Sequence, residues 1–502
     1  MTNDTIILTP INQVFFEVTC THEQAYELRS WFESYVPNFK FNPKYKAKMW
    51  SGKISQYNII DRKLPIGLLY GVKQFCEQFG YKYIVDCSPS FLYNLYTDEE
   101  YKLIKDEFLK DCKFELRDYQ EDVIKKLILK KRGIIEFATG SGKSLIIYSI
   151  IRYLMKKTDK KILQIVPSIS LVQQLASDFN NYGWPNFFND CGLIFSNSDN
   201  YDLSKKIIIS TWQSLQNKPA SFFKDFGAVL VDETHGAKAL EVKKILEKCT
   251  DAEYRYGFTG TLPEEKLDLY TIFGLLGPKV AEKKSTELMK EGVLSPVKII
   301  NCLLKYPDNM IVKSKADYME EVDKTINYPN RNRALKYILR NINSKHNFLI
   351  LANRIEHIKQ ITDYLKMNFP DRIVESIWGE TDAGERERIR LLMDKSEGMI
   401  IVGSFAIMAT GINIPRLHDV ILASSYKQKI KIVQSIGRSL RKSEGKSKSI
   451  IWDLVDDLTW KKKKGGLGMN YLYQHFLERK KHYKEQGFPH QTIELFLDKL
   501  DE

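Results

Sequence analysis

Gly133-Ile-Ile-Glu-Phe-Ala-Thr-Gly-Ser-Gly-Lys-Ser144 is a short apolar run that breaks into a glycine-rich turn, followed by a helical pattern from Lys143 to about Met155. That order predicts a strand, a loop and a helix in immediate succession. Glycines at 140 and 142, with Thr139 and Ser141 between and beside them, let backbone N–H groups close around phosphate oxygens. Lys143 is then placed to meet the β- and γ-phosphates, and the Ser144 hydroxyl to hold Mg²⁺. The first glycine of the longer phosphate-loop pattern falls at Phe137, so the motif is a shortened variant.

Outward from this loop, apolar runs recur at 161–167, 206–211, 228–231 and 254–259, with helix-length polar segments between them. A second series begins near Asn347, at 348–352, 373–378, 399–403, 420–423 and 449–454. Such alternation predicts βα units on mostly parallel sheets, hence an α/β protein with two tandem lobes. The stretch from about Pro296 to Asn332 reads as the connection, because Lys, Asp, Asn and Pro replace periodic apolar residues. Residues 1–105 read as a small N-terminal α+β domain, 106–295 as lobe 1, 296–455 as lobe 2, and 456–502 as a basic loop with a helical tail.

Three further clusters carry chemistry. Val229-Leu-Val-Asp-Glu-Thr-His235 ends an apolar strand with two adjacent carboxylates. Beside a phosphate loop these fit one task each: Asp232 on the metal, Glu233 orienting and deprotonating water. Leu116-Arg-Asp-Tyr-Gln120 could present Gln120 to adenine with Tyr119 packed on the ring and Arg117 beside them; an amphipathic helix start explains the same residues. Far downstream, Gln434-Ser-Ile-Gly-Arg-Ser-Leu-Arg441 puts Arg438 and Arg441 three apart on one helical face. Two guanidinium groups there could reach a γ-phosphate as charge develops.

The ordered set resembles the superfamily 2 helicases with a DExH box, in their DNA repair and recombination branch. The resemblance covers about 116–441. It implies two RecA-like lobes that bind and hydrolyse ATP with Mg²⁺, and catalytic roles for Lys143, Asp232, Glu233, Gln434, Arg438 and Arg441. It further implies that Pro167, Ser168, Thr211 and Thr410 lie along a strand-binding face, and that Gly411 and Asn413 help link nucleotide to the Gln434–Arg441 motif. Asn413 replaces the Asp of many members, so it can accept hydrogen bonds but bears no charge. The implied substrate is single-stranded or branched DNA, with RNA–DNA hybrids as a further candidate; an RNA helicase and a nucleotide-gated annealing protein remain alternatives.

Composition agrees with a polyanionic partner: Lys and Arg outnumber Asp and Glu by 76 to 63 over 502 residues, for a net +13. The seven cysteines are scattered without a Cys-x-x-Cys pair, which predicts reduced thiols and neither a zinc nor an iron–sulfur site. No apolar run is long enough to span a bilayer and no signal-like start is evident, so a cytoplasmic location without membrane contact is expected. The first 110 residues hold as many acidic as basic side chains, but Lys40–Ile60 has no acid. There Lys44, Lys46, Lys48, Trp50 and Lys53, with Lys40, Phe41, Tyr45 and Tyr57, could contact a strand, lysines on phosphates and rings on bases. A basic β-surface with its aromatics turned inward accounts for the same pattern. Lys461–Lys464 would either hold duplex phosphates or solubilise a loop.

Overall fold

The computed structural model describes residues 4–184, 186–195, 202–234, 240–311, 317–405, 416–425, 448–462 and 466–500. The chain forms two compact units, Met1–Ala138 with Gly142–Lys283 and Thr139–Ser141 with Lys284–Glu502, each built on a seven-stranded parallel sheet.

The first unit opens with a small α+β domain. Strands β1 (Thr5–Pro10), β2 (Phe15–Thr19), β5 (Lys63–Pro65) and β6 (Lys82–Val85) form a sheet ordered β5-β2-β1-β6, and β3 (Glu33–Tyr35) pairs with β4 (Lys53–Ser55). Its core gathers Ile6, Leu8, Phe16, Leu28, Val72 and Phe75 from the sheet and from helices His22–Trp31 and Leu69–Phe79, with Phe32 at the end of the first helix. Phe273, on helix Lys266–Leu276 of the lobe that follows, packs against this core. Backbone approach there is so close that a Cβ on Gly67 would lie 1.9 Å from the Phe273 carbonyl oxygen. Gln56 Nε2 adds a hydrogen bond of 2.9 Å to Thr271.

Lobe 1 contains β7 (Arg132–Phe137), β8 (Lys161–Val166), β9 (Cys191–Ile194), β10 (Ile207–Thr211), β11 (Phe226–Asp232), β12 (Tyr254–Thr259) and β13 (Lys279–Lys283), in the order β13-β7-β12-β11-β8-β10-β9. The central strands are covered on both faces, which explains their unbroken apolar sequences. Arg255 on β12 is fully buried, yet donates to the carbonyls of Leu275 (2.6 Å), Cys249 (2.9 Å) and Leu246 (2.8 Å), near the C-termini of two helices.

Lobe 2 contains β14 (Val297–Lys305), β15 (Phe348–Ala352), β16 (Val374–Ile377), β17 (Ile400–Ser404), β18 (Asp419–Leu422) and β19 (Ser449–Asp457). A hairpin of β20 (Trp460–Lys461) with β21 (Leu467–Gly468) follows, then β22 (His490–Phe496); the sheet order is β16-β17-β15-β18-β19-β14-β22. Two expectations change here. The stretch after Pro296 is not a plain connection: β14 lies between β19, which it pairs with over nine residues, and β22, which it pairs with over seven. The tail is not purely helical either, because β22 follows helix Tyr471–Glu485 and completes the sheet.

Buried polar groups fasten that tail. Arg479 makes a two-pronged pair with Asp453 (2.9 Å for each arm), Tyr483 donates to the same carboxylate at 2.9 Å, and all three side chains are out of solvent. Glu321 accepts the first N–H groups of the helix, Tyr471 at 3.0 Å and Leu472 at 2.8 Å, where a carboxylate suits the helix dipole. Tyr483 and Phe476 are both buried.

Candidate nucleotide and nucleic-acid site

In a parallel sheet the βα turns gather at the C-terminal ends of the strands, and lobe 1 collects its motif residues on that edge. The loop 138–142 follows β7, Pro167 and Ser168 follow β8, Thr211 ends β10, Asp232 ends β11 and Thr259 ends β12.

The loop has the backbone an anion cradle needs. Gly140 and Gly142 both have φ of +84, a region that costs L-residues about 1–2 kcal/mol, and helix Lys143–Lys157 starts directly after them. A Cβ on Gly142 would lie 2.3 Å from Gln120 Nε2. Gln120 is therefore buried against the loop, and its Oε1 accepts the Arg117 N–H at 3.0 Å. Arg117 also reaches the Tyr119 hydroxyl at 3.4 Å, while the Tyr119 ring rests 5.9 Å from Phe137 with Lys283 Nζ 5.0 Å from its centre. Lys143 Nζ donates to the Phe137 carbonyl at 2.8 Å, so its ammonium is turned back along the loop.

At the end of β11, Glu233 takes φ +52, an uncommon conformation for a side-chain-bearing residue. Its N–H donates to Asp232 Oδ1 at 2.9 Å, tying the two carboxylate residues together. The Thr259 hydroxyl donates to the Thr261 carbonyl at 2.9 Å, and Glu136 holds the Leu262 N–H at 3.0 Å, closing the turn after β12. Two contributors escaped sequence reasoning. Tyr182 donates to Ser144 Oγ at 3.1 Å, and Glu136 belongs to β7; neither shows a local pattern linking it to the partner.

The expected strand-binding residues fare unevenly. Ser168 caps helix Ile169–Asn181, accepting the Leu171 N–H at 3.4 Å, and Pro167 beside it is partly exposed. Thr211 is buried, with its hydroxyl 3.0 Å from Ser214, so its side chain is not displayed on the open edge as expected. In the N-terminal domain Lys44, Lys46 and Lys48 are exposed. Lys53 is not a free cation: the β3–β4 register sets it against Tyr35, 3.4 Å from Glu33 and 5.2 Å from the Tyr35 ring centre. Trp50 is half-buried, with its indole N–H donated to the Lys53 carbonyl at 3.0 Å, and Tyr57 is buried in the domain core; the open ring of this segment is Phe41, 75% exposed. Thr410, Gly411, Asn413, Gln434, Arg438 and Arg441 lie outside the described residues, as does His235.

Known proteins bear on this arrangement. Residues 11–86 match the family described as DNA helicase UvsW, N-terminal; 113–264 match Type III restriction enzyme, res subunit; and 330–443 match Helicase conserved C-terminal domain. The ATP-dependent DNA helicase uvsW of Enterobacteria phage T4 is 30% identical over 484 residues, 94% of this chain and 95% of that protein. The DNA 3'-5' translocase XPB2 of Sulfurisphaera tokodaii is 26% identical, over 72% of this chain and 85% of its own length. The crystal structure of T4 UvsW superposes with a TM-score of 0.51 at 28% identity, covering 98% of this chain and all of the other. With its two parallel-sheet lobes, its phosphate loop and a matching N-terminal domain, the chain belongs to the UvsW family of superfamily 2 helicases.

Proposed function

We propose that this enzyme is an ATP-driven DNA helicase or translocase that remodels branched recombination or replication intermediates, such as junctions, forks, D-loops or R-loops. The gathering of Lys143, Asp232 and Glu233 at the C-terminal edge of one sheet supports it most directly. The residues present fit an ATP–Mg²⁺ complex: two left-handed glycines leave loop N–H groups free of Cβ atoms, an ammonium and a hydroxyl follow in the next helix, and paired carboxylates stand at the C-terminal end of another strand of the same sheet. Mg²⁺, when bound, neutralises phosphate charge.

The chain's own groups divide the work. Ser144 and Asp232 would hold the metal, and Lys143, which donates to the Phe137 carbonyl, would turn to phosphate oxygens. Gln120, Tyr119 and Arg117 receive adenine. Glu233, fixed through its N–H to Asp232, orients water and takes its proton. Arg438 and Arg441 meet charge developing on the γ-phosphate, with Gln434 in the same sequence motif and Gly411 and Asn413 coupling it to nucleotide. The strand runs past Pro167, Ser168 and Thr410, with Thr211 supporting the turn beneath.

The N-terminal domain selects the substrate through Lys44, Lys46 and Lys48, with Phe41 as the ring most open to a base. Trp50 and Lys53 shape that segment from within. A cytoplasmic location accords with this role, and among the described residues no helix is long and apolar enough to cross a membrane. ATP hydrolysis compared across linear single strand, duplex, four-way junction, RNA–DNA hybrid and RNA is the test. Preferential stimulation by the junction, lost in a Lys44/Lys46/Lys48→Ala variant that keeps single-strand stimulation, is expected. Equal response to RNA and junction would overturn the substrate assignment.

A further inference from the structure

At the opposite end of β7 from the phosphate loop, a cavity of about 490 Å³ opens between the N-terminal domain and lobe 1. Among the described residues no acidic side chain lines it, and Lys73, Lys130, Arg132 and Lys279 all face it. Two of these cations are already matched: Lys279 pairs with Glu136 (3.1 Å) and Glu282 (2.6 Å), and Lys73 lies 3.9 Å from Glu77. Among the described residues Lys130, exposed at a helix end, and Arg132 form no ion pair, and Glu253, which pairs with Lys131, acts on Arg132 only from beyond salt-bridge distance.

Arg132 is 6% exposed and has no carboxylate within salt-bridge distance among the described residues. Its hydrogen bonds go to the neutral oxygens of Gln13, at 3.3 Å and 3.1 Å, and its Nε–H is buried without a partner. Burial, and then the neighbouring Arg255, push its guanidinium down to about 9. A buried cation of this kind is stabilised by an anion that brings its own acceptors. The same mouth carries three tyrosine rings on separate elements: Tyr70 on helix Leu69–Phe79, Tyr83 on the edge strand β6, and Tyr93, which are 61%, 37% and 45% exposed. Flat aromatic faces beside cations that form no ion pair suit a ligand that is both aromatic and anionic. The volume lies within the roughly 300–1,000 Å³ typical of small-ligand sites and far exceeds what a lone phosphate needs.

We propose that this cavity is a second nucleotide site, distinct from that of the hydrolysed ATP, which takes one unpaired nucleotide of a DNA strand with its base on the tyrosines and its phosphate at Arg132 and Lys130. The six residues of β7 separate it from the phosphate loop by about 20 Å. The proposal rests on the DNA-helicase reading and adds a contact point for a strand away from the motor edge.

Full-length protein irradiated with a thymidine oligonucleotide carrying one 5-iododeoxyuridine should cross-link at Tyr70, Tyr83 or Tyr93. Tyr93→Ala and Lys130→Glu, both at exposed positions, should remove those cross-links and lower the affinity at this site about tenfold, as removal of a base stack does. ATP hydrolysis without DNA should stay unchanged in both. Arg132→Gln should do the same if it folds; the two surface variants decide the matter if it does not. Competition that succeeds with unlabelled oligonucleotide but fails with millimolar thymidine 5′-phosphate identifies the strand as the source, and success with both admits free nucleotide to the same site. Cross-links confined to the motor edge, or unaffected by either surface variant, overturn the proposal while DNA-stimulated hydrolysis persists. Absence of that stimulation in the unaltered protein would instead overturn the helicase reading.

Discussion

Gly142→Ala separates two demands that the phosphate loop makes on its neighbours. Position 142 has φ +84, where alanine costs roughly 1–2 kcal/mol. The new Cβ would also stand 2.3 Å from Gln120 Nε2, so the amide must move. Gln120 is fully buried and its Oε1 holds the Arg117 N–H, so displacement forfeits a buried hydrogen bond worth about 1–3 kcal/mol. The sum, about 2–5 kcal/mol, corresponds to a loss of ATP affinity of about thirtyfold or more. Titration with a fluorescent ATP analogue in Gly142→Ala, Gln120→Ala and the double variant measures both parts. Without the Gln120 amide only the dihedral cost remains, so the cycle should show a coupling of about 1–3 kcal/mol. An equal loss in both backgrounds, or wild-type affinity in Gly142→Ala, would refute the argument that the buried glutamine sets the shape of the loop.

Lys143→Ala should abolish phosphate release while oligonucleotide binding, read by anisotropy, stays near wild type; Glu233→Gln should keep ATP bound without turnover. Arg438→Ala and Arg441→Ala should each lower turnover at saturating ATP by about 10³, with far smaller changes in ATP affinity. Arg479→Ala leaves Asp453 buried without its cation and should cost about 3–5 kcal/mol in lobe 2, seen as an earlier melting step. Removing the exposed Arg388, 52% accessible, should cost less than about 1 kcal/mol. Burial and the adjacent Arg331 lower the His357 imidazole from 6.5 to about 3, so the unfolded chain takes up that proton first as the pH falls. Lobe 2 should hold the His357 contribution above pH 6.5 and lose it progressively toward pH 3; urea midpoints of His357→Gln should fall less steeply over that window.

Much of the sheet architecture is readable because central parallel strands are apolar on both faces: the runs ending at Val166, Thr211, Asp232 and Thr259 are such strands. The edge strands β13 and β22 give no such signal. β13, Lys-Val-Ala-Glu-Lys, and β22, His-Gln-Thr-Ile-Glu-Leu-Phe, keep polar side chains in contact with water and read as loop or helix. β14 carries an apolar sequence, but the polar stretch after it conceals the strand among connecting residues. At the site, the glycines, lysine and carboxylates are legible because their chemistry fixes them at strand ends. Tyr182 and Glu136 are not, since they reach partners 38 and 126 residues away. Lys53 shows the same limit in reverse: an acid-free window hides Glu33, which only the pairing of Tyr35 with Lys53 brings beside it.

The tail limits how its basic loop can be studied. β22 runs parallel to β14 from Ile299 to Lys305, Arg479 neutralises Asp453, and Glu321 caps the helix Tyr471–Glu485. A chain cut at 456 would leave Asp453 and Glu321 buried without these partners and would expose the edge of β14. Its failure to unwind would therefore report on the folding of lobe 2, whatever the role of Lys461–Lys464. Lys461 and Lys462 are exposed beside the short β20–β21 hairpin, where Gly468 passes so close to Trp460 that a Cβ would lie 2.1 Å from the ring. Replacing the lysines by glutamine in the full chain keeps that hairpin and removes only charge. For every phosphate that a lysine no longer neutralises, the slope of log affinity against log salt should fall by about 0.9 on duplex. An unchanged slope would assign these lysines to solubility, and a reduced slope would make the loop a second duplex-binding element alongside the N-terminal domain.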